Sequence, residues 1–222
     1  MTAPRPRGSG RWRPLTEGAA LLLPLGVIGA LSLLLVPPVG IAAFVAAGLV
    51  WYAFRDPERA VQADASVALS PADGTVLRVG PVFDDYWQTE MVEVAIFLAL
   101  WNVHVQRFPL AGTVLGVRRK AGGYRPAMTE AATHGNNQLA TYLETSAGPC
   151  TVTQISGLVA RRIVTWVEAG DRVEQGQRLG MIKFGSQVTL RLPAGTQVLV
   201  AAGERVAAGT TVIARLDGRG DA

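Results

Sequence analysis

The chain has 222 residues, of which 49% are hydrophobic and 17% are charged. Disordered chains combine low hydrophobicity with high charge, so this composition excludes disorder as the main state. Cys150 is the only cysteine and there are two histidines. These counts exclude a disulfide-stapled scaffold and a cysteine-built zinc site, and we expect no metal. The net charge of +4 does not indicate nucleic-acid binding, and we expect no nucleic-acid partner.

Two apolar segments, residues 18–36 and 39–54, lie near the N-terminus and contain no charged side chain. A membrane-spanning helix needs about 20 apolar residues, so the first segment is long enough and the second is marginal. Pro37 and Pro38 between them interrupt helical continuity and favour a hairpin. A cleaved signal peptide is the alternative, although its apolar core of about 7–15 residues would be shorter than this stretch.

Basic residues flank the apolar pair on both sides. They are Arg5, Arg7, Arg11 and Arg13 before it, and Arg55 and Arg59 after it. Because basic flanks stay cytoplasmic, a hairpin returns the rest of the chain to the cytoplasmic face. We therefore predict a basic segment over 1–17, a helical membrane hairpin over 18–54 and a separate domain over 55–222.

The remaining residues have the pattern of short β-strands. Runs rich in Val, Ile, Leu and Thr are separated by Gly, Pro and Asp, which favours a β-rich sandwich or barrel. The predicted strands are 75–79, 91–100, 112–117, 138–143, 151–155, 158–167, 187–192 and 211–216. Residues 60–68 are predicted to form at most a short turn or helix.

A weak internal repeat refines this fold class. Residues 169–176 resemble residues 202–209, and residues 72–76 resemble residues 110–114. The phrase Gly-Asp-x-Val-x-x-Gly-Gln-x-Leu, residues 170–179, is typical of lipoyl- and biotinyl-type barrel-sandwich hybrids, where glycines occupy tight turns. We therefore predict a mainly β, barrel-sandwich-hybrid-like domain. Lys183 does not lie in the usual carrier context, but a non-enzymatic, membrane-tethered adaptor or carrier module remains an alternative function.

Three polar residues are candidates for chemistry. Each has an ordinary structural interpretation: Asp73 fits a Pro-x-Asp-Gly turn, His104 a structural histidine and Ser186 the start of a strand. Together, an aspartate, a histidine and a serine can activate a hydroxyl nucleophile. The Gly-x-Ser-x-Gly elbow of α/β-hydrolases is absent around Ser186.

The order and spacing of several motifs resemble the short form of phosphatidylserine decarboxylase proenzymes. The resemblance covers nearly the whole chain. It includes the apolar pair and residues 54–59 (Phe-Arg-Asp-Pro-Glu-Arg), 70–74 (Ser-Pro-Ala-Asp-Gly), 102–105 (Asn-Val-His-Val), 154–163 and 184–186 (Phe-Gly-Ser). Each motif is weak alone, and their combination is specific.

The resemblance implies a membrane-associated, pyruvoyl-dependent enzyme that converts phosphatidylserine to phosphatidylethanolamine with release of CO2. It implies self-cleavage between Gly185 and Ser186 into a β chain, 1–185, and an α chain, 186–222. Asp73, His104 and Ser186 would form the triad, and Ser186 would become the pyruvoyl group, with neither pyridoxal phosphate nor metal. The implied location is a bacterial-type cell membrane, and a homo-oligomer is possible.

Aromatic and basic side chains suggest how such a domain would meet a lipid surface. Trp87, Trp101, Phe108 and Tyr124 are candidates for an interfacial rim, and Arg107, Arg118 and Arg119 for attracting anionic headgroups. The alternative is that the aromatic side chains belong to the core and the arginines to a solvated edge.

Overall fold

The computed structural model describes residues 13–158, 162–182 and 185–216, with side chains from residue 16 onward. Residues 159–161, which belong to the predicted strand 158–167, lie outside the described residues. The same holds for Lys183 and Phe184, which precede the predicted cleavage site.

The N-terminal unit, 10–57, is a pair of apolar helices. Helix α1 covers Arg13–Leu35 and helix α2 covers Pro37–Ala53. They pack closely because small residues face the partner helix: Gly40 lies against the backbone of Leu33, and Gly29 against the ring of Phe44. Within α1, Thr16–Leu35 is long and apolar enough to cross a membrane, whereas α2, with 17 residues, is shorter.

The second unit carries the remaining elements and is mainly β, as predicted. Its one α-helix among the described residues, α3 (Glu130–Gly135), was not predicted. The strands are β1 (Val67–Leu69), β2 (Gly74–Asp84), β3 (Thr89–Leu98), β4 (Val105–Arg107), β5 (Gly112–Lys120), β6 (Gln138–Thr145), β7 (Gly148–Ile155), β8 (Ile163–Thr165), β9 (Arg172–Val173), β10 (Arg178–Ile182), β11 (Ser186–Pro193), β12 (Gln197–Val198), β13 (Arg205–Val206) and β14 (Val212–Arg215). Residues 60–66 contain neither helix nor strand.

These strands form one large sheet and two small ones within the described residues. The large sheet has the order β13-β2-β3-β11-β7-β6-β5-β9, and its named pairs are antiparallel. The small sheets have the orders β1-β14-β12 and β4-β10-β8.

The internal repeat of the sequence is a structural duplication. Gly203 donates to the carbonyl of Val76, and Gly170 donates to the carbonyl of Val114 at the equivalent position, with distances of 2.8 and 2.7 Å. Gly170 and Gly203 both have φ of 92°, a left-handed conformation that favours glycine. Each repeat therefore contains a short edge strand of the large sheet: residues 169–176 contain β9, and residues 202–209 contain β13.

The hydrophobic core lies between one face of the large sheet and the small sheets. Val94, Ile96, Leu139, Val188 and Leu190 line it from the large sheet and are at most 1% exposed. Ala214, Ile213, Leu179, Ile182 and Ile163 line it from the small sheets. Strand alternation turns the opposite side chains of the large sheet to its other face.

That other face carries an ion-pair network. The Glu93 carboxylate, 5% exposed, accepts hydrogen bonds from the guanidinium groups of Arg78 and Arg191 at 2.6 and 2.9 Å. The Asp84 carboxylate accepts a hydrogen bond from Arg191 at 3.0 Å. These carboxylates raise the pKa of the Arg191 guanidinium, and their combined effect exceeds the opposing effect of burial. The network ties β2, β3 and β11 together on the side opposite the core.

Candidate active site

The register of the large sheet brings distant motifs to one end. Strand β3 lies between β2 and β11, with Phe97 paired to Thr75 on one side and to Gln187 on the other. Asp73 immediately precedes this end of β2, and Ser186 begins β11 opposite Leu98. Residues 73, 98 and 186 therefore lie at the same end of these three strands, although they are far apart in the sequence.

The Gly185–Ser186 peptide lies at the start of β11. Ser186 is 0% exposed, and its Oγ has no hydrogen-bond partner among the described residues. A buried hydroxyl without a partner is costly, so such groups call for an explanation, of which a catalytic role is one. Gly185 has φ of 57°, in the left-handed region where a side chain is unfavourable. Glycine adopts this conformation without steric cost because it has no Cβ.

His104 contacts the amide that precedes this peptide. Its imidazole Nε2 accepts a hydrogen bond from the Gly185 amide at 3.2 Å, and the residue is 1% exposed. The carbonyl of His104 accepts from the Ile182 amide at 3.2 Å and from the Gln106 side chain at 2.8 Å. Because Nε2 is an acceptor here, it carries no proton, which is the form a general base requires.

Gly157 lies against the carbonyl of Gly185. A methyl group at Gly157 would overlap the Gly185 carbonyl oxygen and would come within 3.1 Å of the Ala127 side chain. Any residue larger than glycine would displace the peptide bond that precedes Ser186. The sequence motif 154–163 contains this glycine, but its contact partner became evident only from the structure.

Asp73 has a different partner from the one expected. Nη2 of Arg59 donates to both of its carboxylate oxygens, at 2.9 and 2.7 Å, and the Ala208 amide donates to Oδ1 at 2.8 Å. The side chains of Arg59 and Asp73 are 17% and 15% exposed. Among the described residues, none of the hydrogen bonds of Asp73 reaches His104. The pairing of Arg59 with Asp73 was not predicted, although Arg59 lies in the motif 54–59.

The thiol of Cys150 does not compete with Ser186 as a nucleophile. Cys150 is fully buried, and burial raises the pKa of its thiol to about 12. The thiol therefore stays protonated at neutral pH, and a protonated thiol is a poor nucleophile. Ser186 is also fully buried, and the amide of its neighbour Gly185 bonds to His104.

The predicted rim residues divide into exposed and buried sets. Trp101 and Tyr124 are 70% and 40% exposed, whereas Phe108 is 0% exposed. Arg107 is also buried and donates to the Gly176 carbonyl at 3.1 Å. Phe108 therefore belongs to the core, and Arg107 holds a turn rather than an exposed edge.

Comparison with known proteins agrees with this arrangement. The family model described as phosphatidylserine decarboxylase matches residues 46–214. A protein of Streptomyces coelicolor named phosphatidylserine decarboxylase proenzyme is 42% identical over 218 residues, which covers 95% of this chain and 96% of the relative.

Other bacteria carry similar proteins of the same name. The relative from Nitratidesulfovibrio vulgaris is 44% identical over 173 residues, covering 75% of this chain and 79% of its own length. The relative from Burkholderia mallei is 42% identical over 164 residues, covering 73% and 76%. The family match and the near full-length similarity confirm the resemblance seen in the sequence motifs. The chain belongs to the phosphatidylserine decarboxylase family.

Proposed function

We propose that this protein is a phosphatidylserine decarboxylase that matures by cutting itself between Gly185 and Ser186. The observation that carries this proposal is the buried, unpartnered Ser186 hydroxyl at a peptide whose preceding amide is bonded to His104. Family membership supplies the reaction: loss of CO2 from phosphatidylserine to give phosphatidylethanolamine. The alternative of a carrier or adaptor module has no support among the relatives.

Maturation begins at the Ser186 hydroxyl. Its Oγ attacks the Gly185 carbonyl carbon while His104 Nε2 takes the hydroxyl proton. The carbon–nitrogen bond then breaks, the freed Ser186 amine takes a proton, and an ester joins Gly185 to the Ser186 side chain. For this step His104 exchanges its hydrogen bond to the Gly185 amide for one to the hydroxyl.

The second step breaks the ester. Removal of the Ser186 Cα proton pushes electrons into a Cα–Cβ double bond and expels the Gly185 carboxylate from Cβ. Water then hydrolyses the resulting enamine with loss of ammonia, which leaves a ketone at the new N-terminus. The products are a β chain, 1–185, and an α chain, 186–222.

The position of Ser186 fits the pyruvoyl group that the family implies. The serine is fully buried, its hydroxyl has no competing partner among the described residues, and a base lies nearby. Once formed, this group supplies an electron sink for the loss of CO2, as organic cofactors do elsewhere. His104 is then positioned to return a proton to the substrate, and no pyridoxal phosphate or metal is required.

The apolar N-terminal unit gives the proposed enzyme its location. Helix α1 has the length and composition to cross a bilayer, and the arginines before it favour a cytoplasmic N-terminus. We propose a membrane hairpin over 18–54 and a catalytic domain over 55–222 on the cytoplasmic face of a bacterial-type membrane. The α and β chains of one precursor stay together as strands of one sheet.

Intact mass and product analysis test the proposed function. The purified protein should contain two chains that meet at residues 185 and 186, with a ketone at the N-terminus of the smaller chain. With carboxyl-labelled phosphatidylserine it should release labelled CO2. A single uncut chain without CO2 release would instead support the carrier or adaptor function.

The Arg59–Asp73 pair yields a prediction about maturation. Asp73→Asn and Arg59→Gln should each slow self-cleavage, because each removes one half of a largely buried ion pair. Leaving a buried polar group without its partner costs about 1–3 kcal/mol. Because the two residues act as one unit, the double variant should be no slower than the slower single variant. Maturation is followed by gel over time.

Arg55 is the matched control for Arg59. It comes from the same motif, but its guanidinium donates to the Tyr52 carbonyl at 2.7 Å and lies over the Tyr52 ring. Arg55→Gln should mature at the wild-type rate. Additive losses in the double variant would show that Arg59 and Asp73 act independently.

A further inference from the structure

We propose that exposed apolar side chains around Gly185 form a surface that enters the membrane interface and admits the lipid headgroup to the buried site. This inference rests on the proposed function. We call this set the apolar rim: Leu100, Trp101, Tyr124, Met128 and Leu158, which are 51%, 70%, 40%, 60% and 62% exposed. Large apolar side chains grouped on a surface indicate an interaction site.

One part of the apolar rim is a tight turn after β3. The Ala99 amide donates to the Asn102 side chain at 2.8 Å, and the Asn102 amide donates to the Ala99 carbonyl at 3.0 Å. This turn projects Leu100 and Trp101 outward. Leu100 Cδ2 lies 3.6 Å from the position that a Cβ would take at Gly185. The turn therefore borders the cleavage site.

A second part is the loop 121–129, which Asn136 holds against the site. Its side-chain amide donates to the carbonyls of Arg125 and Ser156 at 2.8 and 2.7 Å, and its oxygen accepts from the Arg125 amide at 2.8 Å. Asn136 is 0% exposed, so this junction is fixed. Tyr124 precedes Arg125 on this loop.

The same loop meets the third part of the rim at Gly157. Ala127 is the loop residue nearest Gly157, which itself lies against the Gly185 carbonyl. Met128 and Leu158 directly follow these two contact residues in the chain. Three separate segments thus bring exposed apolar residues to the neighbourhood of Gly185.

Charge and chemistry identify the occupant as an anionic lipid interface. The described residues 99–102, 118–129 and 156–158 contain no acidic side chain, and Glu130 follows the second of these segments, whereas Lys120, Arg125 and Arg162 are exposed. Tryptophan and tyrosine favour the headgroup region, and nearby cations favour anionic lipid. Gly185, which precedes the buried Ser186, lies against Gly157 and near Leu100, so a lipid headgroup that approaches Ser186 past Gly185 would meet the apolar rim.

Depth-dependent quenching tests the location of the apolar rim. Met128→Cys in the full chain provides a site for a fluorescent label, and Cys150 does not compete because it is buried with a raised thiol pKa. In vesicles containing phosphatidylserine and doxyl-labelled lipid, we expect the label at position 128 to lose more than half of its fluorescence. Equal fluorescence with and without the doxyl lipid would overturn the proposal.

Phe83 provides the matched control position. It is 53% exposed, and it pairs with Glu90 on β3. Glu90 is eight residues from Leu98, so the two lie about 26 Å apart along the strand at about 3.3 Å per residue. The label introduced by Phe83→Cys should not be quenched. Quenching of both labels to the same extent would indicate non-specific adsorption and would also overturn the proposal.

Turnover in two substrate forms tests the role of the apolar rim. The double variant Met128→Glu, Leu158→Glu should lose about tenfold or more in turnover of vesicle phosphatidylserine. It should retain turnover of short-chain phosphatidylserine dispersed as monomers, and Phe83→Glu should retain both. An equal loss on both substrate forms in fully matured enzyme would overturn the role in access.

The two proposals fail in different ways. A wild-type protein that decarboxylates neither substrate form would refute the proposed function, and the quenching result would still decide where the apolar rim lies. If the double variant matures poorly, the quenching of the label at position 128 still tests whether the apolar rim enters the membrane interface.

Discussion

Ser186→Ala is expected to abolish maturation and activity together. The variant lacks the Oγ that attacks the Gly185 carbonyl and that later leaves with the Gly185 carboxylate, and the ketone cannot form without it. Intact mass should show one chain of 222 residues and no release of CO2 from phosphatidylserine. Ser186→Thr and Ser186→Cys keep a nucleophile and should cleave slowly.

Thr189→Val is the matched control for this substitution. Thr189 lies on the same strand, is 1% exposed, and its Oγ1 also has no hydrogen-bond partner among the described residues. It is an odd number of residues from Ser186, so its side chain points to the opposite face of the sheet. The control should mature normally. Two chains from Ser186→Ala would refute the cleavage chemistry.

His104→Ala should slow self-cleavage by roughly 10²–10⁴-fold, the usual contribution of a general base. The expected loss is larger than for Asp73→Asn, because His104 bonds to the amide next to the reacting peptide, whereas Asp73 bonds to Arg59 and the Ala208 amide. The measurement is the rate at which two chains appear after cell-free synthesis. A hydroxylamine-cleavable ester should accumulate less in the variant than in the wild type.

His134 is the natural control, since it is the other histidine of the chain and lies exposed on α3. His134→Ala should mature at the wild-type rate. If His104→Ala also matures at that rate, the base is another group, even if cleavage still occurs at Gly185–Ser186.

Much of the fold was predictable because it depends on local pattern. Short apolar runs separated by turn residues predicted most strands of the large sheet, since alternation and turn chemistry act over a few residues. The repeat of residues 169–176 at 202–209 was also visible, and it corresponds to the equivalent turns at Gly170 and Gly203. The short helix α3 has only six residues, too few for a helical period to stand out.

The candidate site residues were predictable only through the resemblance of ordered motifs. Asp73, His104 and Ser186 each have an ordinary local interpretation, and no spacing along the chain shows that they meet. The register of β2, β3 and β11 brings their segments to one end of the sheet. The β3–β11 part of that register pairs residues 88 to 102 positions apart, which local preference does not encode.

The sequence by itself determined the apolar N-terminal pair, the mainly β domain, the duplication and the family. Only the tertiary structure decided that Arg59 bonds to Asp73, that Gly157 lies against the Gly185 carbonyl, and that Phe108 is buried while Leu100, Met128 and Leu158 are exposed. Composition and local pattern fix which residues prefer strands, turns or apolar surroundings. Which side chain meets which partner depends on packing between segments that are distant in the chain, because burial and hydrogen bonding are satisfied in three dimensions.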